Sequence, residues 1–350
     1  MEYNQLKMKE AILYEKLKNK NVRCQVCLRR CVIAPGKVGY CQTRINKNGK
    51  LYTTIYGIAS AIHNDPIEKK PVFHYKPGSL ALSLGTFGCN FRCKFCQNWE
   101  IAWADGVAEA KHGTKISPKE AIELAKRHQS AGIAITYNEP AIWLEYSLDV
   151  FKLAKKENLY TCWVTNGYAT KKTIDTIAPY LDIYRVDLKS FDDKFYQNLI
   201  NVPKAAPIFE MTKYVRQLAE KYPQIHIECI TNIIPTWNDS DKTLKEIAKW
   251  IKKELGPKTP WHVTRFFPYA KLTNVPPTPA ETLYQAREIG LKVGLKFVYI
   301  GNLAVDEEDN TYCPKCKTLC IERSGYATRI LAVDKKGHCS KCGEDLNIVM

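Results

Sequence analysis

Residues 85–99 read GTFGCNFRCKFCQNW, and three cysteines in that stretch decide how the rest of the chain is read. Cys89, Cys93 and Cys96 stand in a C-x3-C-x2-C spacing. Three thiolates so placed bind three irons of a [4Fe-4S] cubane and leave the fourth iron open. An open coordination position is what a catalytic metal needs, because structural sites are closed. The stretch follows directly on the apolar, β-rich run Leu80–Gly85, so the cysteines are expected on a loop at the end of a strand. The competing reading is a zinc site short of its fourth ligand.

Working outward, residues 79–305 alternate short β-rich runs with amphipathic helices. Strands are predicted at Leu80–Gly85, Gly132–Thr136, Tyr160–Thr165, Ile183–Leu188, His226–Thr231, His262–Phe266 and Phe297–Gly301. Ser117-Pro118-Lys119-Glu120 is a capping box with proline at the first helical position, and Thr278-Pro279-Ala280-Glu281 repeats that signal. Strand–helix alternation implies a parallel sheet with crossover helices. Six or seven such units fit a full or partial α/β barrel, in which catalytic groups sit at the C-terminal ends of the strands. The chemical motifs should therefore fall just after strands, and they do. Thr136-Tyr137-Asn138-Glu139-Pro140 follows the second, Thr165-Asn166-Gly167 the third and Asp187-Leu188-Lys189 the fourth. Glu139 offers acceptors for an ammonium group, although a carboxylate at a helix start also answers the dipole there. Asn232-Ile-Ile-Pro-Thr-Trp-Asn238-Asp239 follows the fifth strand, where Asn238 or Asp239 is expected to cap the next helix. On the sixth, His262, Thr264 and Phe266 share one face and Arg265 takes the other.

The chain has 14 cysteines, and they are grouped. Clustered cysteine in a reducing compartment points to metal rather than disulfides. Cys24-x2-Cys27-x3-Cys31-x9-Cys41 fits either an auxiliary [4Fe-4S] cluster or structural zinc, with the short spacing favouring iron–sulfur. Cys313-x2-Cys316-x22-Cys339-x2-Cys342 is a pair of knuckles of zinc-ribbon or rubredoxin type, for Zn or Fe. Such a short module has too little core to fold alone, so metal would supply the missing stability. Cys320, Cys162 and Cys229 read as buried packing residues. Three zones follow: a cysteine-rich extension at 1–78, holding a charged helix and a strand pair between Leu51 and His74; the barrel at 79–305; and a four-cysteine module at 306–350.

At 350 residues and 45% hydrophobic, the chain can bury a large core. It has no apolar run long enough for a membrane helix, and its charged start, MEYNQLKMKEAILYEKLKNK, has no signal-peptide core. The expected location is the cytoplasm, with peripheral membrane contact left open. The net charge of +16 would fall to about +11 with all three sites filled. That balance suits a Lys-rich solvated surface, and also RNA or an anionic membrane surface as partner.

The C-x3-C-x2-C spacing with an aromatic at Phe95 resembles the signature of the radical S-adenosylmethionine (SAM) superfamily. The resemblance implies that SAM chelates the open iron and that an electron from the reduced cluster breaks its C5′–S bond. The 5′-deoxyadenosyl radical so formed takes hydrogen from a substrate. The segments CQVCLRRCVIAPGKVGYCQTRIN, DPIEKKPVFHYKPGS, ITYNEP, TNGY, WHVTRFFPYAKL and TYCPKC…GHCSKCG resemble, over nearly the whole chain, the AmmeMemoRadiSam-system radical SAM proteins, relatives of the pyruvate formate-lyase activating enzyme. That implies a partial (β/α)6-type barrel. By the same resemblance, Asn138 and Glu139 take the SAM amino group, and Thr165, Asn166, Asp187 and Lys189 lie by its carboxylate. Lys189 pairs with that carboxylate and Asp187 orients the lysine. Ile233 flanks adenine, and Arg265 or His262 reaches cofactor or substrate. Val164 stands where activating enzymes often carry Asp, which puts a bound cation there in doubt. Implied partners are a ferredoxin- or flavodoxin-type electron donor and Memo-like and AMMECR1-like proteins. The substrate stays open among a protein, an archaeal membrane lipid or polyol, and RNA.

Overall fold

The computed structural model of the chain describes residues 8–304 and 307–350. Its centre is an eight-stranded sheet of strands β1 Ala61–Pro66, β2 Leu80–Gly85, β3 Gly132–Ile135, β4 Tyr160–Thr165, β5 Ile183–Asp187, β6 His226–Ile233, β7 Trp261–Arg265 and β8 Val298–Gly301, hydrogen-bonded in that linear order. Strands β2 to β8 are parallel, and β1 runs antiparallel along the edge of β2. The crossovers are helices α1 Pro118–Arg127, α2 Leu144–Lys156, α3 Lys171–Ile177, α4 Ala206–Lys221, α5 Asp241–Trp250 and α6 Ala280–Val293. Six βα units with unjoined edges make an α/β partial barrel. Each predicted strand is present within two residues of its expected ends.

The periodicities explain the layers. Strands such as β3 (GIAI) are buried throughout, as parallel strands covered on both faces must be. Helix α1 buries Ala121, Ile122 and Ala125, one stripe at helical spacing. Its capping box is formed: Ser117 Oγ accepts from Glu120 N at 3.2 Å, and Glu120 accepts from Ser117 N at 2.7 Å. The matching signal before α6 is spent otherwise. The Thr278 hydroxyl accepts from Phe266 N (2.9 Å) and donates to the Ile233 carbonyl (2.6 Å), tying the loop to the strand ends and leaving α6 without a side-chain cap.

The extension departs from expectation. In place of a charged helix, the described part of the first twenty residues holds short strands at Lys9–Glu10 and Tyr14–Lys16. Tyr14–Lys16 pairs with Val22–Cys24, which pairs with Val32–Ile33. Burial of Ala11, Val22, Ile33 and Leu51 in one core with barrel residues such as Ile133 and Trp163 outweighs local helix propensity. The two strands expected between Leu51 and His74 exist but are not partners: Lys50–Thr53 pairs with Arg44–Lys47, whereas β1 pairs with β2. A buried ion pair, Arg44 to Glu145 at 2.8 Å, ties the extension to α2. The C-terminal module has its own small core of Cys320, Ile321, Leu346 and Ile348, seated on Phe73, Phe297 and Tyr299. Arg323 anchors it through the carbonyl of Phe73 (2.9 Å) and, within the module, donates to the Thr311 hydroxyl (2.9 Å).

Candidate active site

The C-terminal ends of the strands surround a cavity of about 740 Å³. Cys89, Cys93 and Cys96 line it, on the loop that leaves β2. That loop is shaped by Gly88, whose φ of +83° is the left-handed conformation glycine tolerates. It is braced from three sides. Arg92 donates to the carbonyls of Cys89 (2.7 Å) and Tyr40 (3.1 Å), Lys94 N donates to Leu199 O (2.7 Å), and Asn138 Nδ2 donates to Thr86 O (2.8 Å) and Gly88 O (2.7 Å). Burial pushes the Cys93 thiol up to about 12 against the pull of Lys189, and raises Cys89 and Cys96 as well. Such thiols stay protonated until a metal displaces the protons.

Glu139 lines the same cavity and is 1% exposed. Its carboxylate accepts from Ala141 N (3.0 Å), the Thr165 hydroxyl (2.8 Å) and Asn166 N (2.8 Å). Burial still raises its pKa to about 7, so the site rewards a cation. Thr165 and Asn166 thus act on Glu139, and Asn166 Nδ2 is further spent on Asn90 Oδ1 at 2.7 Å. The Asn138 amide braces the cysteine loop. Lys189 donates to Asp187 at 2.8 Å, and Arg185 flanks the same carboxylate at 2.5 Å. Burial pushes Asp187 up, but Arg185 and Lys189 outweigh it and hold the carboxyl below its ordinary range. Lys189 Nζ also lies 6.0 Å from the Phe95 ring. Asn238 does not cap α5, whose cap is Ser240. It accepts from Ile234 N (2.6 Å) and donates to Lys189 O (2.7 Å), fixing the lysine's backbone.

Two expected contacts lie elsewhere. Ile233 is fully buried in the core outside the cavity, because side chains alternate along β6 and it is Ile230 and Asn232 that face inward. Arg265 points away likewise. It donates to Thr278 O at 2.8 Å and lies over Phe267, while His262 and Thr264 line the cavity.

Other cavity residues were not singled out from the sequence. Tyr137 takes a φ of +72°, the conformation that glycine adopts freely, and donates to Asp65 at 2.7 Å. Its cue is its place beside Glu139 in the segment Thr136–Pro140 that follows β3. Behind the cavity wall formed by His262 and Phe73, Glu228, buried within β6, accepts from His262 (2.6 Å), His226 (3.1 Å), Phe73 N (3.0 Å) and His74 N (2.8 Å). Burial opposes its charge, but the His226 and His262 hydrogen bonds outweigh that and hold it well below the ordinary range. A lone acid in the apolar run HIECIT was the signal available. Gly325 and Tyr326, from the C-terminal module, complete the wall.

The cavity suits the groups expected there. Asn232 Oδ1 and Arg185 Nε are buried without partners, and both residues line it, as befits a polar ligand. The three thiols do not converge as for a single ion. Among the described residues, the only set of three or more potential ligands within 4.8 Å of one another is Cys313, Cys316, Cys339 and Cys342. A cubane sets each thiolate on its own iron and so spreads them. In the C-terminal set, sulfurs stand 3.6 and 3.7 Å apart, close to the ~3.8 Å edge of a tetrahedron with metal–sulfur bonds of about 2.3 Å.

The family model described as the Radical SAM superfamily matches residues 84–251. An uncharacterized protein of Methanocaldococcus jannaschii is 39% identical over 344 residues, covering 98% of this chain and 100% of its own. Pyruvate formate-lyase 1-activating enzyme of Escherichia coli (strain K12) is 26% identical over 233 residues, 61% of this chain and 89% of that enzyme. Pyruvate formate-lyase-activating enzyme of Clostridium pasteurianum is 24% identical over 198 residues, 53% of this chain and 76% of that enzyme. No helix among the described residues is long and apolar enough to cross a membrane.

Proposed function

The chain belongs to the radical SAM superfamily of enzymes, and from that premise we propose that it cleaves SAM reductively and abstracts hydrogen from a protein substrate. The observation that carries this is one cavity lined by Cys89, Cys93, Cys96, Glu139, Asp187 and Lys189. The three thiolates would hold a [4Fe-4S] cluster, whose reduced form when bound supplies the electron that splits SAM into methionine and a 5′-deoxyadenosyl radical. The chain's own residues do the positioning. Glu139 accepts from the SAM amino group, and is itself held in place by Thr165, Asn166 N and Ala141 N. Lys189, steered by Asp187, meets the carboxylate. Phe95 and Ile230 supply apolar wall, and Asn232 offers its unpaired carbonyl. The hairpin around Tyr326, which is 54% exposed, borders the cavity and gives a substrate chain something to lie against. The protein-substrate reading rests on the relatives named as activating enzymes.

The test is anaerobic. Reduced, iron-reconstituted enzyme is mixed with unlabelled SAM and fractions of extract from deuterium-grown cells, and deuterium in 5′-deoxyadenosine is measured by mass spectrometry. The active fraction should lose its deuterium transfer after protease treatment. Transfer that survives proteolysis excludes a protein substrate, and no 5′-deoxyadenosine under any condition excludes the chemistry.

A further inference from the structure

The extension's four cysteines line a second, smaller cavity together with Arg44, Asn90 and Ile142. Cys24, Cys27 and Cys41 are buried and Cys31 is half-buried at the rim. The short ladder places them: Cys24 N donates to Cys31 O at 3.0 Å, and a turn closed by Arg30 N to Cys27 O (3.1 Å) brings Cys27 round. No three of these sulfurs fall within 4.8 Å of one another, unlike the C-terminal four. A single zinc would draw all four to ~3.8 Å, whereas a cubane spreads them.

Two further groups point to an anionic occupant. Asn90 Nδ2 and Arg44 Nε have no hydrogen-bond partner, although their residues are 0% and 1% exposed. Buried N–H groups are rarely left so, and the sulfurs of an iron–sulfur cluster accept such donors.

This cavity abuts the cluster loop. The Cys41 carbonyl lies 2.4 Å from where a Cβ on Gly88 would stand, and Gly88 directly precedes Cys89. Asn90, which lines the extension's cavity, has its Oδ1 3.7 Å from Cys89 Sγ. The Gly88 peptide, packed on the Cys41 carbonyl, and the Asn90 side chain thus touch both thiol sets. Around Cys31, the exposed Arg30, Val32 and Lys37 form a basic, partly apolar face, suited to an acidic carrier protein.

We infer that Cys24, Cys27, Cys31 and Cys41 ligate a second [4Fe-4S] cluster, and that it relays single electrons from an acidic ferredoxin- or flavodoxin-class donor to the cluster at Cys89, Cys93 and Cys96. The relay rests on the function proposed above; the metal assignment does not. In each transfer the donor loses one electron, the extension's cluster passes from 2+ to 1+ and back, and the barrel cluster ends at 1+. No proton moves and no bond changes.

The metal is tested in the Cys89→Ala/Cys93→Ala/Cys96→Ala variant, reconstituted anaerobically. It should retain about four cubane irons against about eight in the unaltered protein, with a reduced-state EPR signal that SAM does not perturb. Zinc in place of that iron, or no iron beyond the C-terminal site, overturns the assignment. The relay is tested by following reduction of the barrel cluster by EPR without SAM, so absent SAM cleavage would leave the readout intact. In Cys31→Ser, reduction by reduced flavodoxin should slow at least about tenfold, while reduction by dithionite stays within about twofold. Arg30→Glu/Lys37→Glu, altering only exposed side chains, should weaken flavodoxin's half-saturation similarly with the iron content unchanged. Unaltered flavodoxin kinetics in both variants overturn the relay.

Discussion

Replacing Glu139 by Gln keeps the shape of the side chain and removes its charge. The carboxylate accepts three donors from the chain itself, Ala141 N, the Thr165 hydroxyl and Asn166 N. A glutamine can turn its oxygen to either side. The Thr165 hydroxyl can rotate and accept from the new amide, but the backbone N–H groups cannot, so one buried N–H loses its partner in either orientation. That costs about 1–3 kcal/mol of stability. Loss of the charge-assisted hydrogen bond from the SAM amino group to this carboxylate costs a further ~1.5–3 kcal/mol of binding, which raises the Kd for SAM roughly 10- to 150-fold. Burial adds a pH signature. Burial raises the Glu139 pKa to about 7 in the folded protein, and the amino N–H donor prefers the ionised form. Affinity in the unaltered protein should therefore fall as pH drops below about 7 and level off above it, while the variant should be flat through that window. The sign for stability is opposite. The folded chain holds a proton that the unfolded chain releases, so this group's contribution to stability falls as pH rises from the ordinary carboxyl range towards 7. Anaerobic titration calorimetry at pH 6 and pH 8 reads both effects, with thermal unfolding as control. A folded Glu139→Gln protein that binds SAM within about twofold of the original at pH 8 would refute the role given to this carboxylate.

Cys93→Ala should abolish 5′-deoxyadenosine formation and lower the iron content while leaving circular dichroism unchanged. Glu145→Gln should strand the Arg44 guanidinium in the core and destabilise the protein by about 3–5 kcal/mol, read by denaturant unfolding. Stripping metal from Cys313, Cys316, Cys339 and Cys342 should loosen the module first, so that limited proteolysis cuts within 307–350 before the barrel; resistance equal to the metal-loaded protein would contradict a structural role. Gly337→Ala should have the same effect without chelation, since its φ is +80° and a Cβ there would meet the Ile348 carbonyl at 1.8 Å.

The strand series was legible because it rests on local chemistry. Short apolar, β-rich runs, the Ser117 capping box and helix stripes act within a few residues, and the strands stand within two residues of their predicted ends. Cysteine spacing is equally local, so the three cysteine sets and the motifs at the strand ends could be read directly. Other features depend on neighbours far along the chain. The first twenty residues favour a helix by composition, but strand pairing and burial against the barrel make them strands where they are described. Whether Ile230 or Ile233 faces the cavity follows from the register of β6 against β5 and β7, and one residue's slip inverts the answer. The same holds for His262 and Arg265 on β7. Glu228 among its histidines, Asn90 between two thiol sets and Tyr326 at the cavity wall are meetings of segments up to some hundreds of residues apart. The identity and spacing of the cysteines are therefore properties of the sequence. Which side chains share their cavities is decided by packing, because burial is a property of the assembled sheet and not of any one strand.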